Sequence, residues 1–226
     1  MQALIVTHGQ PSDPGPAQAD LVDLAARVAL YLPGWRVGAA TLAEEGALAQ
    51  AIAALGPRGV VFPLFMACGW FTGTHLPDRL QRAGGADWRI TLPFGCSPAI
   101  QDLTVVLARA AVAVPADTDV ILAAHGSGRS PAPSIIAHSV AARMRREGGF
   151  RRVQAAFIDQ SPRIADCTGF GVGSICLPFF AAKGGHVTND LPAALAEAGF
   201  QGRLLPAVGL HADVPALIAD CIRQSS

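Results

Sequence analysis

The strongest constraint in this chain of 226 residues is that its order of elements occurs twice. Near the start, "LIVTHGQ" places His8-Gly9 straight after an apolar run. "ILAAHGSG" places His125-Gly126 in the same setting 117 residues later. The order then continues in parallel. "VGAATL" pairs with "VQAAFI", "FPLFMACGWFTGTHLPDRLQRAG" with "LPFFAAKGGHVTNDLPAALAEAG", and "ITLPFG" with "RLLPAVG". From the histidine to the proline of the third run is 55 residues in the first half and 53 in the second. Such a repeat marks a duplicated unit. The link "VAVPADTD" places the expected boundary near Val114–Thr118, which gives domains 1–115 and 116–226.

Short apolar runs alternate with longer amphipathic ones. Strands are expected at Ala3–Thr7, Arg36–Leu42, Gly59–Phe65 and Trp88–Leu92, then at Asp119–Ala124, Arg152–Ile158, Ser174–Phe180 and Arg203–Pro206. Segments such as "AQADLVDLAARVALYL" and "PSIIAHSVAARMRRE" between them read as helices. This rhythm specifies an α/β protein with parallel sheets, and continuous apolar strands are those covered by helices on both faces.

Composition narrows the function. Formal net charge is zero, so no electrostatic footprint points to nucleic acid. No apolar run reaches bilayer length, and no membrane partner is expected. The five cysteines, Cys68, Cys96, Cys167, Cys176 and Cys221, are odd in number and widely spaced. They read as reduced thiols, and the first residues read as a strand and not a signal peptide, so a cytoplasmic setting is expected.

Ligands of parallel α/β sheets bind beyond the carboxyl ends of the strands. By that rule four of the six histidines share one edge: His8 and His125 after the first strand of each half, His186 after the third strand of the second half, and His211 after the fourth. His138 falls within a helix and reads as a surface or packing residue. His75 precedes "LP" at a helix start and reads as a capping or surface residue. Asn189 or Asp190 reads as an N-cap. Paired imidazoles serve metal ligation, proton transfer or both. In "KGGH", Lys183 is the only lysine of the chain, and Gly184 and Gly185 permit a ligand to approach closely. Neither a P-loop nor a GxSxG elbow is present. A histidine phosphatase would carry an arginine before its histidine, where Thr7 and Ala124 stand here.

The combination of a strand ending in His-Gly, "AFIDQSP" and "LPFFAAKGGHVTNDLP" resembles the sirohydrochlorin chelatases, the ATP-independent class II tetrapyrrole chelatases. The resemblance spans nearly the whole chain. It implies two flavodoxin-like lobes, each a parallel sheet flanked by helices, facing one another across a cleft for a flat macrocycle. It implies insertion of Co²⁺ or Fe²⁺, or Ni²⁺, into sirohydrochlorin for cobalamin or siroheme, with no cofactor beyond the substrate metal. The family's two site histidines carry over to His125 and His186, as metal ligands and catalytic groups. Its acidic residue after the second strand carries over to Asp159, shorter than the usual Glu. In the first half His186 aligns with Phe71 and Asp159 with Ala43, so that copy of the site is degenerate.

On this resemblance, the imidazoles bind the ion from one face of the ring. Imidazole suits these metals, and an incomplete ligand set lets the ion leave. A histidine takes up a pyrrole proton, with Asp159 assisting or orienting it. The substrate carries eight carboxylates, so Arg129, Lys183 and the backbone around Gly126, Ser127, Gly184 and Gly185 are expected to bind it. Phe71, with Trp70, and His8 are further substrate contacts. A non-catalytic tetrapyrrole or metal carrier or sensor on the same scaffold is the alternative. The duplication imitates a dimer within one chain, so a monomer or weak homo-oligomer is expected.

Overall fold

The computed structural model describes residues 1–9 and 14–226. Strands β1 (Gln2–Thr7), β2 (Arg36–Thr41), β3 (Arg58–Pro63) and β4 (Asp87–Ile90) pair in parallel in the order β2-β1-β3-β4. Strands β5 (Asp119–Ala124), β6 (Arg152–Phe157), β7 (Ile175–Pro178) and β8 (Arg203–Leu204) repeat it as β6-β5-β7-β8. The expected α/β class, the parallel sheets and the duplication are all present. In both sheets the first strand of the unit is central, with later strands added on either side. Its carboxyl end is therefore the switch point where α/β sheets bind ligands.

Seven helices lie among the described residues: α1 (Pro14–Ala29), α2 (Ala47–Leu55), α3 (Leu76–Arg82), α4 (Pro98–Ala110), α5 (Ala132–Gly148), α6 (Leu191–Glu197) and α7 (Val214–Gln224). They cover the sheets, and β5 is buried at every position. Its first residue, Asp119, is a buried carboxylate. Arg151 donates to it at 2.8 Å and Arg152 lies 3.5 Å away. The Arg151 hydrogen bond holds this carboxyl below its usual range.

The duplication extends to single hydrogen bonds. The Ala43 N–H donates to the His8 carbonyl at 2.8 Å, and the Asp159 N–H to the His125 carbonyl at 2.9 Å. Likewise Leu64 bonds the Val6 carbonyl and Phe179 the Ala123 carbonyl, both at 2.7 Å. Gly9 and Gly126 both have φ of +76°, a left-handed turn that only glycine adopts at little cost.

The compact units do not divide near residue 115. One comprises Met1–Ser97 with Ala212–Ser226, and the other comprises Pro98–His211. Helix α4 packs on α5 and on the turn Val208–Leu210. Helix α7 packs on α1 and β3. Each unit is thus completed by the helix that follows the last strand of the other. A sequence rhythm of strand then helix is blind to this exchange, because the same rhythm results whichever sheet the helix covers.

The expectation of five reduced thiols is also corrected. Cys68 and Cys96 are joined as a disulfide, with Cα atoms 6.4 Å apart. Although 28 residues separate them, β3 and β4 are neighbours, so the loops leaving their carboxyl ends meet. Cys167 and Cys176 are buried free thiols, and burial pushes the Cys176 thiol far up. Cys221 is free and half-buried.

Candidate metal-handling site

Three adjacent carboxyl ends build the site in the second unit. β5 delivers His125, β6 delivers Asp159, and the loop after β7 delivers His186. The Gly126 turn swings the chain away directly after His125. A Cβ there would stand 2.7 Å from Gln160 Cγ and 2.9 Å from Phe157 Cβ. Gln160 accepts from the Ser127 N–H at 2.8 Å, which ties the loop after β5 to the loop after β6.

His186 opens a single π-helical turn, His186–Asp190, that runs into α6. Asp190 therefore does not act as an N-cap. It has helical backbone angles and makes no side-chain capping bond. Its carboxylate Oδ2 accepts from His186 Nδ1 at 2.7 Å. Sequence reasoning placed Asp190 at a helix start and missed this contact; the spacing of four from His186 is the signal that could have found it.

The two imidazoles meet edge to face, with ring centroids 4.3 Å apart and planes at 86°. Their Nε2 atoms are 3.1 Å apart. His125 Nδ1 lies 3.0 Å from the Gly126 carbonyl and 3.5 Å from Asp159 Oδ2. Both Nδ1 atoms thus face acceptors, and an acceptor requires an N–H opposite it. A neutral imidazole carries one N–H only, so the partners assign bare lone pairs to both Nε2 atoms. Two lone pairs at this distance repel unless a cation lies between them, either a proton or a metal ion. Metal–imidazole bonds of about 2.0–2.1 Å at angles between right and tetrahedral span roughly 2.9–3.4 Å from nitrogen to nitrogen, and 3.1 Å falls inside that range. Acceptors behind metal-binding imidazoles fix ring and tautomer.

Among the described residues no set of three or more His, Cys, Asp and Glu groups is arranged to hold an ion. A metal ion at this pair would receive two protein nitrogens, from His125 and His186. Arg129 and Lys183 stand exposed on the loops carrying His125 and His186. A Cβ on Gly184 or Gly185 would meet no atom within 4 Å, so the backbone there faces open space. His211 follows the turn Val208–Leu210 after β8, and His138 packs edge-on against Phe157.

The first unit keeps the frame and changes the chemistry. Phe71 takes the place of His186 and meets His8 edge to face, 5.2 Å between centroids and 87° between planes. His75 takes the place of Asp190, at the end of the matching π-helical turn Phe71–His75. It makes no capping bond and instead stacks on Trp70, 5.1 Å between centroids, while Trp70 itself is 67 % exposed. Burial, then the charges of His75 and Arg79, lower the His8 pKa from 6.5.

Two α/β sheets of one strand order, with two imidazoles facing each other at the carboxyl edge of the second, are the features of a chelatase-type protein. The CbiX family model matches residues 119–225. A solved structure of CbiX, described as the terminal enzyme for biosynthesis of siroheme in denitrifying bacteria, is 45% identical; the match covers 100% of both chains with a TM-score of 0.92. The chain belongs to the CbiX family of sirohydrochlorin chelatases, and it is an enzyme. SirB from Bacillus subtilis with Fe3+ is 15% identical, with 99% of this chain and 94% of that one covered at a TM-score of 0.76. SirB from Bacillus subtilis subspecies spizizenii in complex with cobalt has the same identity and coverage at a TM-score of 0.69. At that identity the likeness is one of fold. A search of curated proteins finds no match.

Proposed function

We propose that this chain inserts Co²⁺ or Fe²⁺ into sirohydrochlorin, without ATP, in siroheme or cobalamin biosynthesis, and that His125 and His186 hold the ion. The facing Nε2 atoms, each ring backed by an acceptor on Nδ1, carry the reading. Imidazole nitrogen suits cobalt, iron and nickel alike. Two protein ligands hold such an ion loosely enough for the pyrrole nitrogens to take it over. Two pyrrole protons must then leave, and the transfer frees the two Nε2 lone pairs that can accept them. Asp159, 3.5 Å from His125 Nδ1, supports the charge that develops on that ring.

Arg129 and Lys183, with the backbone around Gly126, Ser127, Gly184 and Gly185, bind substrate carboxylates in this reading. His8 and Phe71 contact the macrocycle; the exposed Trp70 beside Phe71 supports an aromatic role there. Among the described residues no helix is long and apolar enough to cross a membrane. We also propose a cytoplasmic setting on the three free thiols Cys167, Cys176 and Cys221, against which the Cys68–Cys96 disulfide stands. We place the active form as a monomer or weak homo-oligomer, since one chain already holds both units.

Purified protein mixed anaerobically with sirohydrochlorin and Co²⁺ tests the reading through the absorption spectrum. Many turnovers per chain are expected, and His186→Ala is expected to lower kcat/KM by about 10²-fold or more. A spectral change limited to one equivalent per chain, or full turnover in His186→Ala, would overturn it.

A further inference from the structure

We propose that Asp190 is a positioning residue: it selects which nitrogen of His186 meets the metal substrate and thereby sets metal affinity. The inference rests on the chelatase reading of the His125–His186 pair. A carboxylate oxygen accepts and does not donate, so Oδ2 at 2.7 Å requires the His186 proton on Nδ1. In the neutral ring this leaves Nε2 bare and aimed at His125 Nε2, 3.1 Å away. Without that acceptor the proton divides between both nitrogens, the ring is free to turn, and the preformed two-nitrogen seat is populated only part of the time.

The first unit supplies an internal control against a purely structural role. The same π-helical turn forms there with His75 in the place of Asp190, so the turn does not need a carboxylate. Asp190 caps no helix, and its side chain is half exposed. In the copy where Phe71 has replaced the imidazole, the carboxylate is gone as well. The spacing explains the contact. A π-helical turn holds more than four residues, so positions four apart stand nearly one above the other. The residue that opens the turn and the one that closes it share a face.

The test uses the intact protein without macrocycle. Co²⁺ binding is measured by calorimetry and by cobalt absorption for the parent chain, Asp190→Ala, Asp190→Asn, Asp190→Glu and His186→Ala. The His186 tautomer is read from its ring ¹⁵N shifts. Loss of a carboxylate behind a ligating histidine lowers metal affinity about 10- to 100-fold. That loss is expected for Asp190→Ala, with the ring proton redistributed between the nitrogens and the melting temperature unchanged. Asp190→Glu is expected to recover part of it. In turnover assays the KM for metal rises while the KM for sirohydrochlorin stays. Co²⁺ affinity within twofold of the parent together with an unchanged tautomer overturns the proposal and leaves the chelatase reading standing. Parent chain that binds Co²⁺ no better than His186→Ala overturns both.

Discussion

His125 Nε2 and His186 Nε2 face one another at 3.1 Å, from loops that follow two neighbouring parallel strands. Neither ring makes the seat alone. His125→Ala and His186→Ala are each expected to lower Co²⁺ affinity and kcat/KM by about 10²-fold or more, and the double variant to lose little beyond either single one. Losses that simply add would show that the two imidazoles act separately.

The degenerate copy should be repairable. Phe71 already lies against His8 at 87°, where His186 lies against His125 at 86°. Phe71→His combined with His75→Asp is expected to raise the stoichiometry from one Co²⁺ per chain to two, by calorimetry. Phe71→His alone is expected to bind the second ion more weakly. A stoichiometry of one in the double variant would show that the first unit lacks more than these two groups.

Gly126 couples the site to the fold. An added Cβ would meet Gln160 and Phe157 below 3.0 Å at a φ of +76°. Gly126→Ala is expected to cost about 2–4 kcal/mol in chemical denaturation, from a left-handed backbone and a crowded contact together. It should displace His125 as well. Gly128→Ala, where a Cβ meets no atom within 4 Å, should change stability by less than about 0.5 kcal/mol.

His8 should leave a mark on stability at mildly acid pH. Burial, His75 and Arg79 depress its folded pKa below 6.5. As pH falls through that value the unfolded chain takes up the proton first, so stability drops until pH passes below the folded pKa. Denaturation midpoints between about pH 8 and 5 are expected to fall less steeply for His8→Gln than for the parent chain. Equal slopes would remove His8 as the cause.

The helix exchange predicts that halves cut at residue 115 do not fold. Fragment 1–115 lacks α7, whose Val214, Ile218 and Ile222 are wholly buried. At about 1.5–3 kcal/mol for each buried side chain, this loss rivals the roughly 5–15 kcal/mol that holds a domain folded. Fragment 116–226 lacks α4. Circular dichroism of both fragments, separately and mixed, checks this. Cooperative melting of either alone would refute it.

Much of the site was legible because its frame is local. Each strand is a continuous apolar run, and a histidine placed straight after one must emerge at the carboxyl edge. His8 and His125 could therefore be placed by position alone, and His186 by the loop that leaves β7. Asp190 could not, because Asp four residues after a histidine and just before Leu-Pro also fits a helix cap. The choice between cap and partner depends on the π-helical turn. Of the two readings of His75, capping or surface, the capping one fails for the same reason: its ring lies half-buried against Trp70 and Phe71 and makes no capping bond.

The sequence by itself determined the duplication, the parallel α/β order and the edge on which the histidines emerge. These follow from periodicities of a few residues and from a repeat long enough to be aligned with itself. Only the tertiary structure decided that α4 and α7 are exchanged, that Cys68 meets Cys96, and that two imidazoles backed by acceptors bring their Nε2 atoms within 3.1 Å of one another. Each of these depends on which distant strands lie side by side. Sheet pairing sets that between segments tens of residues apart, and no local pattern of side chains records it.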